Sequence, residues 1–129
     1  MNRVLLDTHT FLWLTLEDGR LSSAARAMID AEDTRALVSI VSLWEIGIKS
    51  GIGKLDLPDD FDSFVAAELR KRAIAILDLE LAHVYRVHAL PLHHRDPFDR
   101  MLVAQSLAEG IPVVGRDREL DAYGVDRRW

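Results

Sequence analysis

Hydrophobic positions along the chain fall into short apolar runs separated by longer segments with helical spacing. The runs at residues 3–6, 36–39, 73–77 and 112–114 predict buried strands, and residues 124–125 predict a last edge strand. The segments between them predict helices over residues 8–16, 22–31, 42–50, 80–88, 96–109 and 118–122, with another helix that begins at residue 59 or 60. Repeated strand–helix units are typical of a parallel sheet with helices on both faces, so the sequence predicts an α/β fold.

Acidic residues stand at the edges of these apolar segments. Asp7 ends the first run, Glu45 lies inside the apolar segment 40–46, Asp96 and Asp99 open the helix after residue 95, and Asp117 follows the run at 112–114. Carboxylates are rarely buried unless they are paired or bind a metal ion. In parallel sheets, ligands bind beyond the carboxyl ends of the strands, where these acids are expected to meet. We therefore predict one carboxylate site that holds a hard divalent cation and acts on phosphates.

Each acid also has a local structural interpretation. Asp96 is a good N-cap before a proline, Asp99 could complete a capping box with it, and Asp117 could cap the helix that begins at residue 118. Glu45 could likewise complete a capping box that begins at Ser42. The hypothesis of a shared site therefore depends on their convergence at one sheet edge.

Composition limits the remaining possibilities. The 129 residues suit one domain, and the lack of cysteine excludes disulfides and thiolate metal sites. A formal net charge of −5 argues against broad attraction to nucleic acid, although acids that bind metal would contribute to that count. No segment has the roughly 18 to 20 apolar residues of a membrane span, and no signal-peptide pattern is present, so a cytoplasmic protein is expected.

Four short motifs resemble those of PIN-domain proteins, and more closely the VapC-type toxins of bacterial toxin–antitoxin pairs. They are LLDTH at residues 5–9, SLWEI at 42–46, HRDPFDR at 94–100, and RD at 116–117 followed by YGV at 123–125. The resemblance covers essentially the whole chain, with the motifs in the family's order. It implies one PIN-like domain over residues 1–129, with a three-layer α/β/α fold and a central, mainly parallel sheet of four to five strands.

The resemblance implies a metal-dependent endoribonuclease. In that family, acids equivalent to Asp7, Glu45, Asp99 and Asp117 bind Mg²⁺ or Mn²⁺ and support RNA cleavage, and Asp96 is a further candidate ligand. Asp7 and Asp99 are expected to be primary ligands, Glu45 to ligate or to orient water, and Asp117 to hold a second ion or act through water. Many relatives carry Thr or Ser at the position of Gly115, whose missing hydroxyl leaves the role of Asp117 less supported.

Partners and competing functions follow from the same comparison. Basic residues beside the motif acids could form a rim for RNA phosphates, with solvation or ion pairing as the alternative: Lys49, Arg95, Arg100, Arg116 and Arg118. His93 and His94 precede Asp96 and could line the site, but a solvated loop is the favoured interpretation. The resemblance implies an antitoxin partner and a homodimer. The alternatives are a non-catalytic PIN-like interaction module and a haloacid-dehalogenase-like phosphatase, which would need an acid where this chain has His9.

Overall fold

The computed structural model describes residues 2–129, in which five strands form one parallel sheet. The strands are β1 (Asn2–Leu6), β2 (Thr34–Ser39), β3 (Ala75–Leu77), β4 (Val113–Val114) and β5 (Arg127–Arg128). Their order is β3-β2-β1-β4-β5, and every neighbouring pair is parallel. This arrangement confirms the predicted α/β class and the predicted mainly parallel sheet.

Helices connect the strands and cover the sheet. They are α1 (Thr8–Thr15), α2 (Ser23–Asp30), α3 (Ile40–Gly51), α4 (Phe61–Lys71), α5 (Leu81–Ala89) and α6 (Pro97–Glu109), followed by a 3₁₀ helix (Arg118–Tyr123). None of the helices within residues 2–129 has both the length and the apolar composition that crossing a bilayer requires.

The central strand β1 is buried on both faces. Leu6 belongs to one hydrophobic cluster together with Phe11, whereas its neighbour Leu5 belongs to a second cluster together with Val113. Because successive side chains of a strand point to opposite faces, β1 contributes to the core on each side of the sheet. Asp7 follows β1 directly and therefore lies at the carboxyl edge, between the ends of β2 and β4.

Several element bounds differ from the predicted ones for local reasons. Ala73 has a left-handed φ of 53°, so β3 begins after it. Helix α3 begins at Ile40 because Ser39 is the N-cap, with its Oγ accepting from the N–H of Val41 at 3.0 Å. The predicted capping box at Ser42 is therefore wrong.

The last strand is also displaced from the predicted position. Residues 124–125 do not form it, because Gly124 has a φ of 77° and ends the 3₁₀ helix. The strand instead forms at Arg127–Arg128, which pair with Val113 and Val114 of β4.

Helix α6 has the N-terminus that the sequence predicts. Asp96 is its N-cap, and its Oδ1 accepts from the N–H of Phe98 at 2.8 Å and of Asp99 at 3.2 Å. Pro97 occupies the first turn, and Gly110 ends the helix with a φ of 66°. This cap fixes Asp99 in the first turn of α6.

Candidate metal centre

Asp7 is held at the carboxyl end of β1 by its own backbone. Its N–H donates to the carbonyl of Val114 at 3.0 Å, and its Oδ1 accepts from the N–H of Thr8 at 2.7 Å as the N-cap of α1. The residue is only 5% exposed. The pKa of the Asp7 carboxyl is raised from 3.8 to about 6, mainly by burial and also by the charges of Asp117 and Glu45, while the hydrogen bond from Thr8 opposes the rise.

Asp99 shares this environment. Burial raises the pKa of its carboxyl from 3.8 to about 7, and the negative charges of Asp7 and Asp96 add to the rise. The imidazole of His94 opposes it. Because charges separated by water interact weakly, the effect of Asp7 on Asp99 places the two residues in one cluster.

Glu45 reaches the same cluster from α3. The residue is 6% exposed, and its Oε2 accepts from Lys49 Nζ at 2.8 Å, one helical turn later. This hydrogen bond raises the pKa of Lys49, and the charges of Asp96 and Asp99 raise it as well. Lys49 is therefore a counter-ion for the acids of both α3 and α6.

Asp117 lies at the rim of the cluster. It is the N-cap of the 3₁₀ helix, and its Oδ1 accepts from the N–H of Glu119 at 2.9 Å. Its side chain is 39% exposed, far more than that of Glu45. Its charge still raises the pKa of Asp7, which places it in the same site.

His94 lies in this site, although the sequence favoured a solvated loop for it. Its Nε2 lies 3.4 Å from Asp99 Oδ2, 3.5 Å from Asp117 Oδ2 and 3.4 Å from Glu119 Oε2. Its side chain is 15% exposed, so the interpretation of His94 as a solvated loop residue is wrong. Only its place two residues before Asp96 pointed to the site, because a loop residue has no periodic pattern.

Comparison with known proteins identifies the family. The family model of the PIN domain matches residues 4–126. The chain belongs to the PIN domain family. The predicted family is therefore confirmed, and the acids at positions 7, 45, 96, 99 and 117 all lie within the matched residues.

Solved structures show the same fold. A chain of VapBC2 from Rickettsia felis, crystallised with a DNA fragment from the promoter, superimposes on this PIN domain with a TM-score of 0.74 at 12% identity, covering 98% of this chain and 97% of the other. A chain of VapBC-5, from the VapBC family of toxin–antitoxin systems of Mycobacterium tuberculosis, gives 0.60 at 18% identity, covering 99% and 97%. The comparison with curated proteins found no match.

The other basic residues lie in different environments around the PIN domain's acids. Arg100 is bonded inside the loop before α6, donating to the carbonyl of Pro91 at 2.9 Å and to the hydroxyl of Tyr123 at 3.1 Å. Arg116 lies over the ring of Trp13 at 5.8 Å. Arg95, Arg116 and Arg118 are exposed, and none of them forms an ion pair within residues 2–129.

The donor set of this PIN domain fits a hard divalent cation. Asp7, Glu45, Asp99 and Asp117 offer carboxylate oxygens only, which suit Mg²⁺ and Mn²⁺ better than soft ions. Lys49 neutralises one of these charges through Glu45. The raised pKa values of Asp7 and Asp99 reflect burial first and the charges of neighbouring acids second, and a bound cation would offset both.

Proposed function

We propose that this PIN domain, extending over residues 1–129, is a metal-dependent endoribonuclease and the toxin of a toxin–antitoxin pair. The observation that carries the proposal is that acids from separate segments of the chain act on the same two buried carboxyls. The charges of Asp117 and Glu45 raise the pKa of Asp7, and the charges of Asp7 and Glu45 raise the pKa of Asp99. Family membership and the likeness of fold to chains of two VapBC complexes support it.

The roles of the acids follow from their environments. Asp7 and Asp99, the two acids whose pKa values are most raised by burial and charge, are proposed as the primary ligands. Glu45 would ligate or orient a water molecule, with Lys49 fixing its side chain. Asp117, at the exposed rim, would hold a second ion or act through water. A bound Mg²⁺ or Mn²⁺ supplies a water of lowered pKa and stabilises negative charge on the phosphate.

Asp96 has a smaller part in this proposal. Its Oδ1 is engaged by the N–H groups of Phe98 and Asp99 as an N-cap. Its charge nevertheless raises the pKa values of both primary ligands. We therefore assign Asp96 to the orientation of α6 and to the negative potential of the site, with direct ligation as a secondary role.

RNA binding would depend on a few cations at the rim. Arg95, Arg116 and Arg118 are exposed next to motif acids, and Lys49 touches Glu45 directly. These side chains can contact phosphates, whereas the guanidinium of Arg100 is engaged by loop carbonyls and contributes to RNA binding only through the loop.

Two protein partners are proposed, an antitoxin and a second copy of this chain, in the cytoplasm. Large apolar side chains stand exposed on the surface and support partner contacts. The group on and after α3 consists of Ile40, Trp44, Ile48 and Ile52. The group on and around α5 consists of Leu79, Leu81, Val84, Tyr85 and Leu92. Trp44 contacts Phe98, the neighbour of Asp99, with ring centroids 5.2 Å apart. We therefore assign the α3 surface to the antitoxin, which could then cover the acids, and the α5 surface to the second copy.

The test is RNA cleavage by purified, antitoxin-free protein, with and without Mg²⁺ or Mn²⁺. Discrete fragments are expected from the wild type, and none from the double variant Asp7→Asn/Asp99→Asn, which keeps the shape of both side chains but removes their charges. The matched control is Asp30→Asn/Asp62→Asn, which removes two exposed carboxylates elsewhere. Folded, metal-binding protein that cleaves none of several RNA pools would favour a non-catalytic interaction module instead.

A further inference from the structure

The loop before α6 is fixed to the 3₁₀ helix by one hydroxyl group. The Tyr123 hydroxyl accepts from the N–H of His93 at 3.1 Å, from the N–H of His94 at 2.7 Å and from Arg100 Nη1 at 3.1 Å. Tyr123 is 9% exposed, so these bonds are shielded from water. The backbone of His94 is therefore held at a fixed position relative to the helix that begins after Asp117.

The orientation of the His94 ring follows from a second hydrogen bond. The N–H of Asp96 donates to His94 Nδ1 at 3.1 Å, so this nitrogen is an acceptor and the ring proton lies on Nε2. A nitrogen that carries a proton has no lone pair for a metal ion. His94 is consequently a donor toward the acids around it and not a metal ligand, although its Nε2 lies among three carboxylates.

The carboxylate of Asp117 has few other contacts to fix it. Its Oδ1 caps the 3₁₀ helix, whereas its Oδ2 faces His94 Nε2 at 3.5 Å. The negative charge of Asp7 repels it. The partly exposed side chain could move into solvent and lower that repulsion. The Nε2–H of His94 lies within ion-pair distance of Asp117, Asp99 and Glu119 alike, at 3.4 to 3.5 Å, and its attraction for Asp117 opposes this movement.

We propose that His94 is a positioning residue, whose Nε2–H lies between Asp99 and Asp117 and holds the two carboxylates together for metal binding. The inference rests on the proposed metal-dependent function and adds a residue to it. Donors that orient metal-ligating carboxylates typically contribute about 10- to 100-fold to metal affinity. His94 should therefore affect the affinity for Mn²⁺ without touching the ion.

Two amide substitutions separate the functions of the two ring nitrogens. In His94→Asn, the side-chain oxygen can replace Nδ1 as the acceptor for the Asp96 N–H, but no atom reaches the position of Nε2. In His94→Gln, the amide nitrogen can replace Nε2 as the donor toward the acids. The Asn variant therefore keeps the hydrogen bond from the Asp96 N–H and loses the donor between Asp99 and Asp117. The Gln variant keeps that donor.

The experiment is a Mn²⁺ titration of the wild type and the variants. Binding is measured by calorimetry and by the electron paramagnetic resonance signal of free Mn²⁺. We expect His94→Asn to bind Mn²⁺ about tenfold or more weakly, and His94→Gln to stay within about threefold of the wild type. His93→Asn is the matched control, because the exposed side chain of His93 makes an edge-to-face contact with Tyr123 and forms no ion pair within residues 2–129.

A double-mutant cycle with Asp117→Asn distinguishes positioning from a general structural role. If His94 acts through Asp117, adding His94→Asn to Asp117→Asn should cause little further loss of affinity. A full further loss would overturn the proposal, and so would equal or tighter binding by His94→Asn, since tighter binding would mean that the imidazole competes with the ion. Failure of Gln to restore the affinity lost with Asn would also contradict it.

The same titration separates this inference from the proposed function. A folded wild type that binds no Mn²⁺ would contradict the metal-dependent activity itself. A wild type that binds Mn²⁺ and cleaves RNA, with His94→Asn unchanged in affinity, would leave the ribonuclease intact and refute only the role of His94.

Discussion

The backbone of Gly115 lies against the side chain of Asp7. A Cβ at position 115 would lie 3.1 Å from Asp7 Cβ and 3.3 Å from its Oδ2. The absence of a side chain at this position therefore leaves room for a proposed metal ligand. The sequence comparison had pointed only to the loss of a hydroxyl group at Gly115.

Gly115→Ala should weaken metal binding by displacing Asp7. The added methyl group can be accommodated only if Asp7 shifts by a few tenths of an ångström, and Mg²⁺ tolerates little distortion of its ligands. We expect an affinity for Mg²⁺ about tenfold lower, with a smaller loss for Mn²⁺, measured by calorimetry. Gly51→Ala is the control, because a Cβ there meets no atom within 4 Å. Unchanged Mg²⁺ affinity would mean that Asp7 is not a primary ligand.

Removal of the cation at Lys49 should strengthen metal binding. Lys49 Nζ lies 2.8 Å from Glu45 Oε2, so Lys49→Gln frees that carboxylate and makes the site more negative. The affinity for Mn²⁺ should rise several-fold, while the KM for RNA increases because a phosphate contact is lost. Lys54→Gln is the control, since Lys54 lines the neighbouring groove beside Lys49. Weaker Mn²⁺ binding by Lys49→Gln would show instead that the lysine organises Glu45 as a ligand.

Metal-free protein should lose stability as the pH rises from about 4 to about 7. The pKa values of Asp7 and Asp99 are raised on folding to about 6 and about 7, so in this window the folded state binds more protons than the unfolded state. The pKa of Asp7 rises from 3.8 to about 6, which corresponds to about 3 kcal/mol lost above that window. Acids whose pKa values are lowered, such as Asp18 and Glu109, act at lower pH.

Denaturant titrations in the presence of a chelator, at pH 5 and pH 8, would measure this effect. Asp7→Asn should be more stable than the wild type at pH 8, and its stability should depend less on pH. Asp62→Asn, at an exposed position, should behave as the wild type does. Stability that increases across this range in the wild type would refute the clustering of uncompensated acids.

The proposed homodimer can be tested through the exposed surface of α5. Leu81, Val84 and Tyr85 lie at helical spacing on this surface and are 62%, 42% and 67% exposed. Tyr85→Arg should therefore convert a dimer into a monomer in analytical ultracentrifugation. Ile52→Arg, at a 61% exposed position after α3, should leave the mass unchanged. A dimer that survives Tyr85→Arg but not Ile52→Arg would assign the second copy to the α3 surface.

The fold was predictable where the pattern of the sequence is strong. The apolar run that contains Leu5 and Leu6, and the cap formed by Asp96 and Pro97, specify β1 and the start of α6 through local chemistry. Strand β5 was placed wrongly because Arg127 and Arg128 carry no apolar signal, although their backbone pairs with β4. The side chain of Arg127 adds polar contacts with the Gly115 carbonyl and with Asp121, which a hydrophobic pattern does not reveal.

In the candidate site, too, residues placed by local chemistry could be predicted better than residues placed by long-range contacts. Asp7 and Asp99 could be predicted because their positions follow from the ends of β1 and the start of α6. For His94 the sequence left both a place in the site and a solvated loop open, since its position depends on the hydroxyl of Tyr123, which lies 29 residues away in the sequence. Arg100 adjoins Asp99 in sequence but is bonded to the carbonyls of the preceding loop. Its position next to Asp99 in the sequence therefore did not predict the contacts of the Arg100 side chain.

The strand order has a consequence for dividing the chain. Strands β1 and β2 lie side by side between β3 and β4, so the second half of the chain contributes β3 on one side of them and the pair β4 and β5 on the other. A break in the loop at residues 52–60 would give one fragment with Asp7 and Glu45 and another with Asp99 and Asp117. Neither fragment would contain the complete carboxylate site, and in the second fragment β3 would have no neighbouring strand. The two pieces could therefore serve as a split reporter, in which metal binding appears only when separately fused proteins bring them together.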